Sequence, residues 1–321
     1  MFTKANLPAT VTKIADTLEQ AGFEAYLVGG CVRDLLRGEE PKDWDFTTNA
    51  KPEDIIGLFE ETYCNNDYGT VGVVTEESDD SPDHIIEVTP YRSESGYSDA
   101  RRPDKVEFGV SQEADLSRRD FTINAIAYRI KNNQLVDIFD GQNDLAKKLI
   151  RTVGRPDERF LEDALRMLRA VRFTAQLGFS IEAETMTAID KNSGQLGLIS
   201  VERIRDEWLK IINSPRAIQG MVFLEKLGLI DYILPEIKAA IGCEQGGAHS
   251  HDVYEHLLHT MQAAVDKGFS TEMRLTALLH DIGKPATRRT GGKNKTYSFY
   301  GHEVVGARMT KHTQHLSLIH I

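Results

Sequence analysis

Apolar positions recur along this chain with two different periods, and the change between them divides it. Near the start Leu7, Val11, Ile14, Ala15 and Leu18 fall three or four apart, which predicts an amphipathic helix. From there to about residue 150 the apolar residues come in short runs, rich in β-branched and aromatic side chains and bounded by Gly, Pro, Asn or Asp. Strands are predicted at 25–28, 44–47, 70–75, 85–89, 106–108, 125–129 and 135–139. Helices intervene at about 31–37 and 52–60, and Pro52 suits the first turn of the second. Residues 1–150 therefore read as an α/β domain with a mixed sheet.

From about residue 157 the strands stop. Leu161, Leu165, Leu168 and Val171 share one face of a helix that Gly178 closes, and helical patterns continue at 181–190, 201–212 and 218–227. This is an all-α neck over residues 151–240. A glycine-containing break, Gly242 to Gly247, precedes a third, histidine-rich helical domain at 245–321. Its last helical pattern runs out without a cap, so this domain is expected to be incomplete, with a natural terminus beyond about residue 315.

Composition adds boundaries. Hydrophobic content of 40% and charged content of 27% are those of a soluble globular protein. No apolar run has the length of a membrane span, and the start has no hydrophobic signal core. Cys31, Cys64 and Cys243 lack metal-ligand spacing, which fits a reducing cytoplasm. A net charge of −11 argues at first against a nucleic-acid partner. Distribution weakens that objection, because acids crowd into 76–83 while bases cluster at Arg101-Arg102, Arg118-Arg119, and Arg166, Arg169 and Arg172. RNA stays open as a partner.

The candidate chemistry starts at YLVGGCVRD, a strand, a glycine pair and a helix start. Gly29 and Gly30 let backbone N–H groups approach a phosphate, and the helix N-terminus favours the anion. Arg33 adds a charge-assisted contact. A plain strand-to-helix turn uses the same glycines, so this alone does not discriminate. Thirteen residues after Gly30, Asp43 and Asp45 flank Trp44, and on a strand both carboxylates point one way. Parallel acids one pleat apart repel unless a cation lies between them, and Mg²⁺ favours hard oxygens together with nucleotide phosphates. Glu87 would complete a two-metal site able to activate a 3′-hydroxyl and stabilise leaving pyrophosphate. Asp43, Asp45 and Glu87 are the catalytic candidates.

Residues 27–50, LVGGCVRDLLRGEEPKDWDFTTNA, resemble the signature of the class II tRNA nucleotidyltransferase and bacterial poly(A) polymerase family. RRDFTINAIAY (Arg118–Tyr128), VDIFDGQNDL (Val136–Leu145) and VERIRDEWLKI (Val201–Ile211) resemble its second, third and fifth motifs. The resemblance runs from about Leu27 to Leu234. It implies template-independent nucleotidyl transfer, with Arg118, Arg119, Asp120 and Asn124 contacting ribose and triphosphate. The third motif would couple head to neck, and the fifth would support. The base would be read within EDALR, Glu162–Arg166. Cytosine and adenine both present an amine donor beside a ring-nitrogen acceptor. Asp163 can accept from the amine while Arg166 donates to the ring nitrogen. Guanine and uracil reverse that order, and each buried polar group left unpaired costs about 1–3 kcal/mol. Glu162, Arg169 and Arg172 would orient the pair or contact phosphate. Outside this context, Asp163 and Arg166 read as ordinary helical ion pairs.

Residues 91–109 resemble the flexible loop such enzymes use to switch from C to A addition, with Arg92, Asp99 and Arg102 as candidates. Its integrity argues against a CC-only enzyme and does not exclude an A-adding one; the favoured reading is addition of C, C and A to the tRNA 3′ end from CTP and ATP. The alternatives within the family are a poly(A) polymerase or an A-adding enzyme. In the third domain His256 and His280-Asp281 resemble the metal centre of the HD phosphohydrolase superfamily, where two imidazoles and a carboxylate suit a second divalent metal. His302 is a further matching position, but no candidate for the pattern's last aspartate follows it. A metal-dependent HD phosphohydrolase is the rival from another class. Oligomeric state has no signal in the sequence.

Overall fold

The computed structural model describes residues 7–64, 69–75, 85–96, 105–246, 250–291 and 296–312. Among them, residues up to Glu162 form one compact unit and those from Asp163 onward form another.

The first unit is built on a sheet. Helix α1 (Ala9–Gln20) buries Val11, Ile14, Ala15 and Leu18, the predicted stripe. Strand β1 (Tyr26–Val28) feeds helix α2 (Gly30–Arg37), and β2 (Asp45–Thr48) leads to α3 (Pro52–Leu58). Next come β3 (Thr62–Cys64), β4 (Val71–Val74) and β5 (Ile85–Pro90). A ribbon of β6 (Arg92–Ser95) and β7 (Lys105–Phe108) precedes helix α4 (Gln112–Ser117), then β8 (Ile126–Arg129) and β9 (Gln134–Asp137). Seven strands join in the order β3-β4-β5-β2-β1-β8-β9. Only β2 and β5 run parallel within it, so the sheet is mixed as expected.

Successive residues of β1 enter different cores. Leu27 packs with Phe46, Val88 and the α1 stripe, while Tyr26 and Val28 pack with Tyr91 and Leu116 on the other face. Both faces are covered, which is why this strand is apolar without alternation. Two strand expectations shift, and two strands were not expected. The 106–108 run pairs with β6 in a separate two-stranded ribbon and does not join the sheet. β6 itself, RSES, has no apolar residue to announce it, and β3 is a largely exposed edge. The strand expected from Trp44 begins at Asp45, leaving Asp43 in the bend before it.

Helix α5 (Gly141–Ala146) and helix α6 (Pro156–Glu162) close the first unit. The single neck helix expected here is two helices, and α7 (Leu165–Leu177) starts afresh in the second unit. The break has a local cause: the Asp163 carboxylate accepts from the Leu165 N–H at 3.1 Å, a local turn that competes with continuing the helix. Leu161 consequently drops out of the expected stripe and is 51% exposed.

The second unit is helical, with α8 (Ala183–Asn192), α9 (Val201–Ile212), α10 (Ala217–Lys226), α11 (Val253–Asp266), α12 (Thr271–Leu279), α13 (Lys284–Thr287) and α14 (His302–His312). Neck and histidine-rich segments bond directly: the Ile218 N–H donates to Gln262 Oε1 at 3.0 Å, and Tyr254 Oη donates to the Met221 carbonyl at 3.3 Å. The boundary expected near residue 240 lies inside this unit. No described helix is long and apolar enough to cross a membrane.

Candidate active site

At the end of β1 the chain turns through Gly29, whose φ of 81° and ψ of −135° suit glycine alone. A Cβ there would lie 3.5 Å from Arg119 Nη1 and 3.7 Å from Asp45 Oδ2. The glycine turn, an arginine of the second motif and a candidate carboxylate thus share one spot. Gly29→Ala should cost about 1–3 kcal/mol of stability through backbone strain, read as a lowered urea midpoint.

The parallel pairing of β2 with β5 sets Asp45 directly beside Glu87. Burial first, then the negative charges of Glu87 and Asp43, push the Asp45 carboxyl up to about 6, against the opposing pull of Arg119. So Asp43, although in the bend, still acts on Asp45. Acids whose charges make Asp45 harder to ionise suit a hard divalent cation. Their spacing is loose: among the described residues, only His256, His280 and Asp281 bring three ligand atoms all within 4.8 Å of one another.

Arg118 and Arg119 sit at the end of α4, held by an acid that sequence reading passed over. Asp115 is fully buried. Its Oδ1 accepts from Arg118 Nε at 3.0 Å and Nη2 at 2.7 Å, and its Oδ2 accepts from Arg119 Nη2 at 3.2 Å and Thr47 Oγ1 at 3.0 Å. Burial alone would raise its pKa, but Arg119 and Arg118 outweigh that and hold it below the usual carboxylate range. A lone acid three residues before an arginine pair looks like any helical surface pair, so the only signal was weak.

Asp120 and Asn124 are buried rather than presented. Asp120 Oδ1 accepts from the Phe121 N–H at 2.8 Å and Asn124 Nδ2 at 3.2 Å, and Asn124 Oδ1 accepts from Arg33 Nη1 at 2.9 Å. Arg33 also makes two 2.9 Å bonds to Asp34. Both residues therefore orient Arg33, which lies beside Gly30. In the third motif Asp137 accepts from the Gly141 and Gln142 N–H groups at 2.7 and 2.8 Å, and buried Asp144 accepts from Thr122 Oγ1 at 2.6 Å and ion-pairs with Arg151 at 2.7 Å. These bonds brace the turn at 122–124. On the ribbon, Arg92 Nε donates to Glu94 at 2.8 Å, and Asp99 and Arg102 lie outside the described residues.

In the second unit Asp163 Oδ2 pairs with Arg203 Nη2 of α9 at 2.8 Å, a partner the sequence reading missed. Arg166 is buried, with its N–H donating to the Asp163 carbonyl at 3.0 Å. Arg172 places Nη1 at 2.8 and 2.9 Å from the two Glu207 carboxylate oxygens. Arg169 lies 5.8 Å over the Phe173 ring. In the first unit Glu162 ion-pairs with Arg159. The fifth motif's supporting role is thus concrete: it supplies Arg203 and Glu207.

The histidine centre is compact. His256 Nε2 and His280 Nε2 are 3.2 Å apart, and Asp281 Oδ2 lies 3.4 and 3.1 Å from them. His280 Nδ1 faces the Ala277 carbonyl at 2.9 Å, which turns Nε2 inward as a metal ligand requires. His302 Nε2 supports the other oxygen of Asp281 at 3.2 Å, and Lys284 Nζ shares Oδ2 at 2.7 Å. A hydrogen bond to Asp281 raises the His280 pKa, while His280 and Lys284 overcome burial and hold Asp281 well below the usual carboxylate range. The donor set fits a divalent metal.

A mixed sheet that gathers a glycine turn, carboxylates on adjacent strands and a braced arginine pair defines a nucleotidyltransferase head, followed by a helical unit. Comparison with known proteins agrees. Residues 25–151 match the family described as "Poly A polymerase head domain", residues 178–241 that described as "Probable RNA and SrmB- binding site of polymerase A", and residues 253–320 the "HD domain". The CCA-adding enzyme of Lactiplantibacillus plantarum is 45% identical over 221 residues, covering 68% of this chain and 53% of the relative. That of Levilactobacillus brevis is 42% identical over 269 residues, covering 83% and 62%. Among solved structures, the Bacillus stearothermophilus CCA-adding enzyme in complex with CTP has a TM-score of 0.62 at 28% identity, covering 94% of this chain and 81% of that one. The chain belongs to the class II tRNA nucleotidyltransferase and poly(A) polymerase family. It spans about half the length of the first curated relatives it matches. Enzymes of this family use divalent metal ions.

Proposed function

We propose that this chain adds C, C and A to the tRNA 3′ end from CTP and ATP, without a nucleic-acid template, in the cytoplasm. The observation that carries this is the placing of Asp45 beside Glu87, with Gly29 and Arg119 against the same carboxylate. The names of the relatives support the substrates.

Asp43 and Asp45, with Glu87, would hold two Mg²⁺ ions. When bound, these activate the 3′-hydroxyl and stabilise the departing pyrophosphate. The chain's own residues do the rest. The Gly29–Gly30 turn admits the triphosphate close to the backbone at the head of α2, where N–H groups point outward. Arg118 and Arg119 offer it charge, as does Arg33, aligned by Asn124 and Asp120. Asp163 accepts from the exocyclic amine and Arg166 donates to the ring nitrogen, flanked by Glu162 and Arg169.

The test is incubation with tRNA lacking its CCA end and labelled CTP or ATP. Incorporation of both supports CCA addition, ATP alone points to an A-adding or poly(A)-type enzyme, and neither sinks the reading. Asp163→Ala should erode the preference for C and A over G and U by roughly tenfold to a hundredfold, measured as ratios of kcat/KM. The histidine centre favours a second reading, a divalent metal on His256, His280 and Asp281 serving phosphoester hydrolysis. His280→Ala would remove that activity and spare nucleotide incorporation.

A further inference from the structure

We propose that Asp115 is the positioning residue for the nucleotide triphosphate, aligning Arg118 and Arg119 for CTP and ATP alike. The inference rests on the nucleotidyl-transfer reading and adds to it a residue outside the family motifs named above. Two adjacent arginines repel each other, and each guanidinium swings on a long flexible stem. Asp115 removes that freedom by giving one oxygen to each: Oδ1 to Arg118 and Oδ2 to Arg119. Its carboxylate is fully buried, so water does not compete for either bond.

The same oxygen that takes Arg119 also takes Thr47 Oγ1 at 3.0 Å. Thr47 is two residues after Asp45 on β2, so the arginines are referenced to the strand that presents the carboxylate. Arg119 in turn places Nη1 against Gly29, at the spot Asp45 Oδ2 also borders. A third link runs to the ribbon. The Arg92 N–H reaches Asp115 Oδ1 at 3.5 Å, and Glu94 of β6 accepts from Arg118 Nη1 at 3.1 Å. One buried acid thus joins the strand, the arginine pair and the base of the ribbon. On the nucleotidyl-transfer reading these arginines serve the ribose and triphosphate, which CTP and ATP share, and not the base. The consequence is specific: losing Asp115 should weaken CTP and ATP by the same factor.

The experiment uses the full chain with Asp115→Asn, which keeps shape and removes charge, and Thr47→Val, which removes one bond to the carboxylate and leaves all charges. Steady-state incorporation is measured with CTP and with ATP, alongside equilibrium CTP binding without turnover. Asp115→Asn should raise KM for both nucleotides about tenfold or more, equally, with kcat within about threefold of wild type, the pattern of lost ground-state binding. Thr47→Val should shift both in the same direction by a few-fold. A residue that only supports the fold would lower the active fraction and hence apparent kcat, leaving KM in place. An unchanged KM, or a rise confined to one nucleotide, overturns the proposal, and Thr47→Val decides alone if Asp115→Asn does not fold. CTP affinity separates the two readings: if wild type binds CTP but transfers nothing, nucleotidyl transfer fails while a weakened variant still supports Asp115. No CTP binding by wild type overturns both.

Discussion

Asp45→Asn should lower nucleotide incorporation by about 10³-fold or more, with little loss of folded protein. The change weakens the hold on the cation that would face the charge developing in the reaction, and single groups that stabilise such charge are worth about 10²–10³ in rate. A residue that would hold the metal should lie at the upper end or beyond it. Stability should move the other way, because Asp45 carries an electrostatic penalty in the metal-free protein. Its carboxyl is held at about 6 against 3.8 for an ordinary aspartate. Between those values the folded state binds more protons than the unfolded chain, so metal-free stability falls as pH rises from about 4 to about 6. Urea midpoints in a chelator across that range should decline in wild type and decline less in Asp45→Asn. Affinity for the divalent metal should rise as pH climbs toward about 6, because below that the cation must displace a proton from this carboxylate. A wild-type rate at pH 7.5 in the variant would exclude Asp45 from the metal site.

Glu207→Ala should cost the second unit about 3–5 kcal/mol, because it leaves the buried Arg172 charge without the carboxylate it grips at two points. Replacing both residues, as Arg172→Met with Glu207→Leu, should recover most of that, since neither charge is then stranded. Trp208, the next residue along α9, is fully buried and provides the fluorescence signal for chemical unfolding. A single variant within about 0.5 kcal/mol of wild type would mean that the pair is solvated in solution.

Much of the first unit was legible because its signals are local. The glycine pair, Asp43, Asp45 and the RRD run each announce themselves within a few residues, and apolar spacing placed most strands to within one or two positions. What stayed hidden depends on partners distant in sequence. Asp115 matters because Thr47, 68 positions away, meets it under the sheet. Arg203 matters because α9 packs on α7 and brings it to Asp163, 40 positions away. The neck helix misled for a different reason. Helical spacing continues unbroken through 158–179, and nothing in it shows that the Asp163 carboxylate would rather bond the Leu165 N–H than face solvent. Local hydrogen bonding defeated periodicity there. The polar strand β6 shows the converse, a partner-made element with no hydrophobic signature.

The bond between Asp163 and Arg203 changes how base choice is to be pictured. If Asp163 reads the base as proposed, it does so with one oxygen already taken by a guanidinium at 2.8 Å and the other by the Leu165 N–H at 3.1 Å. A carboxylate oxygen accepts a second donor, so an amine would join this pair without displacing it. The acid meets the base with its direction already set, and little rotamer freedom is left to lose on binding. G or U, which bring no amine to the acid, would gain nothing from that preset geometry.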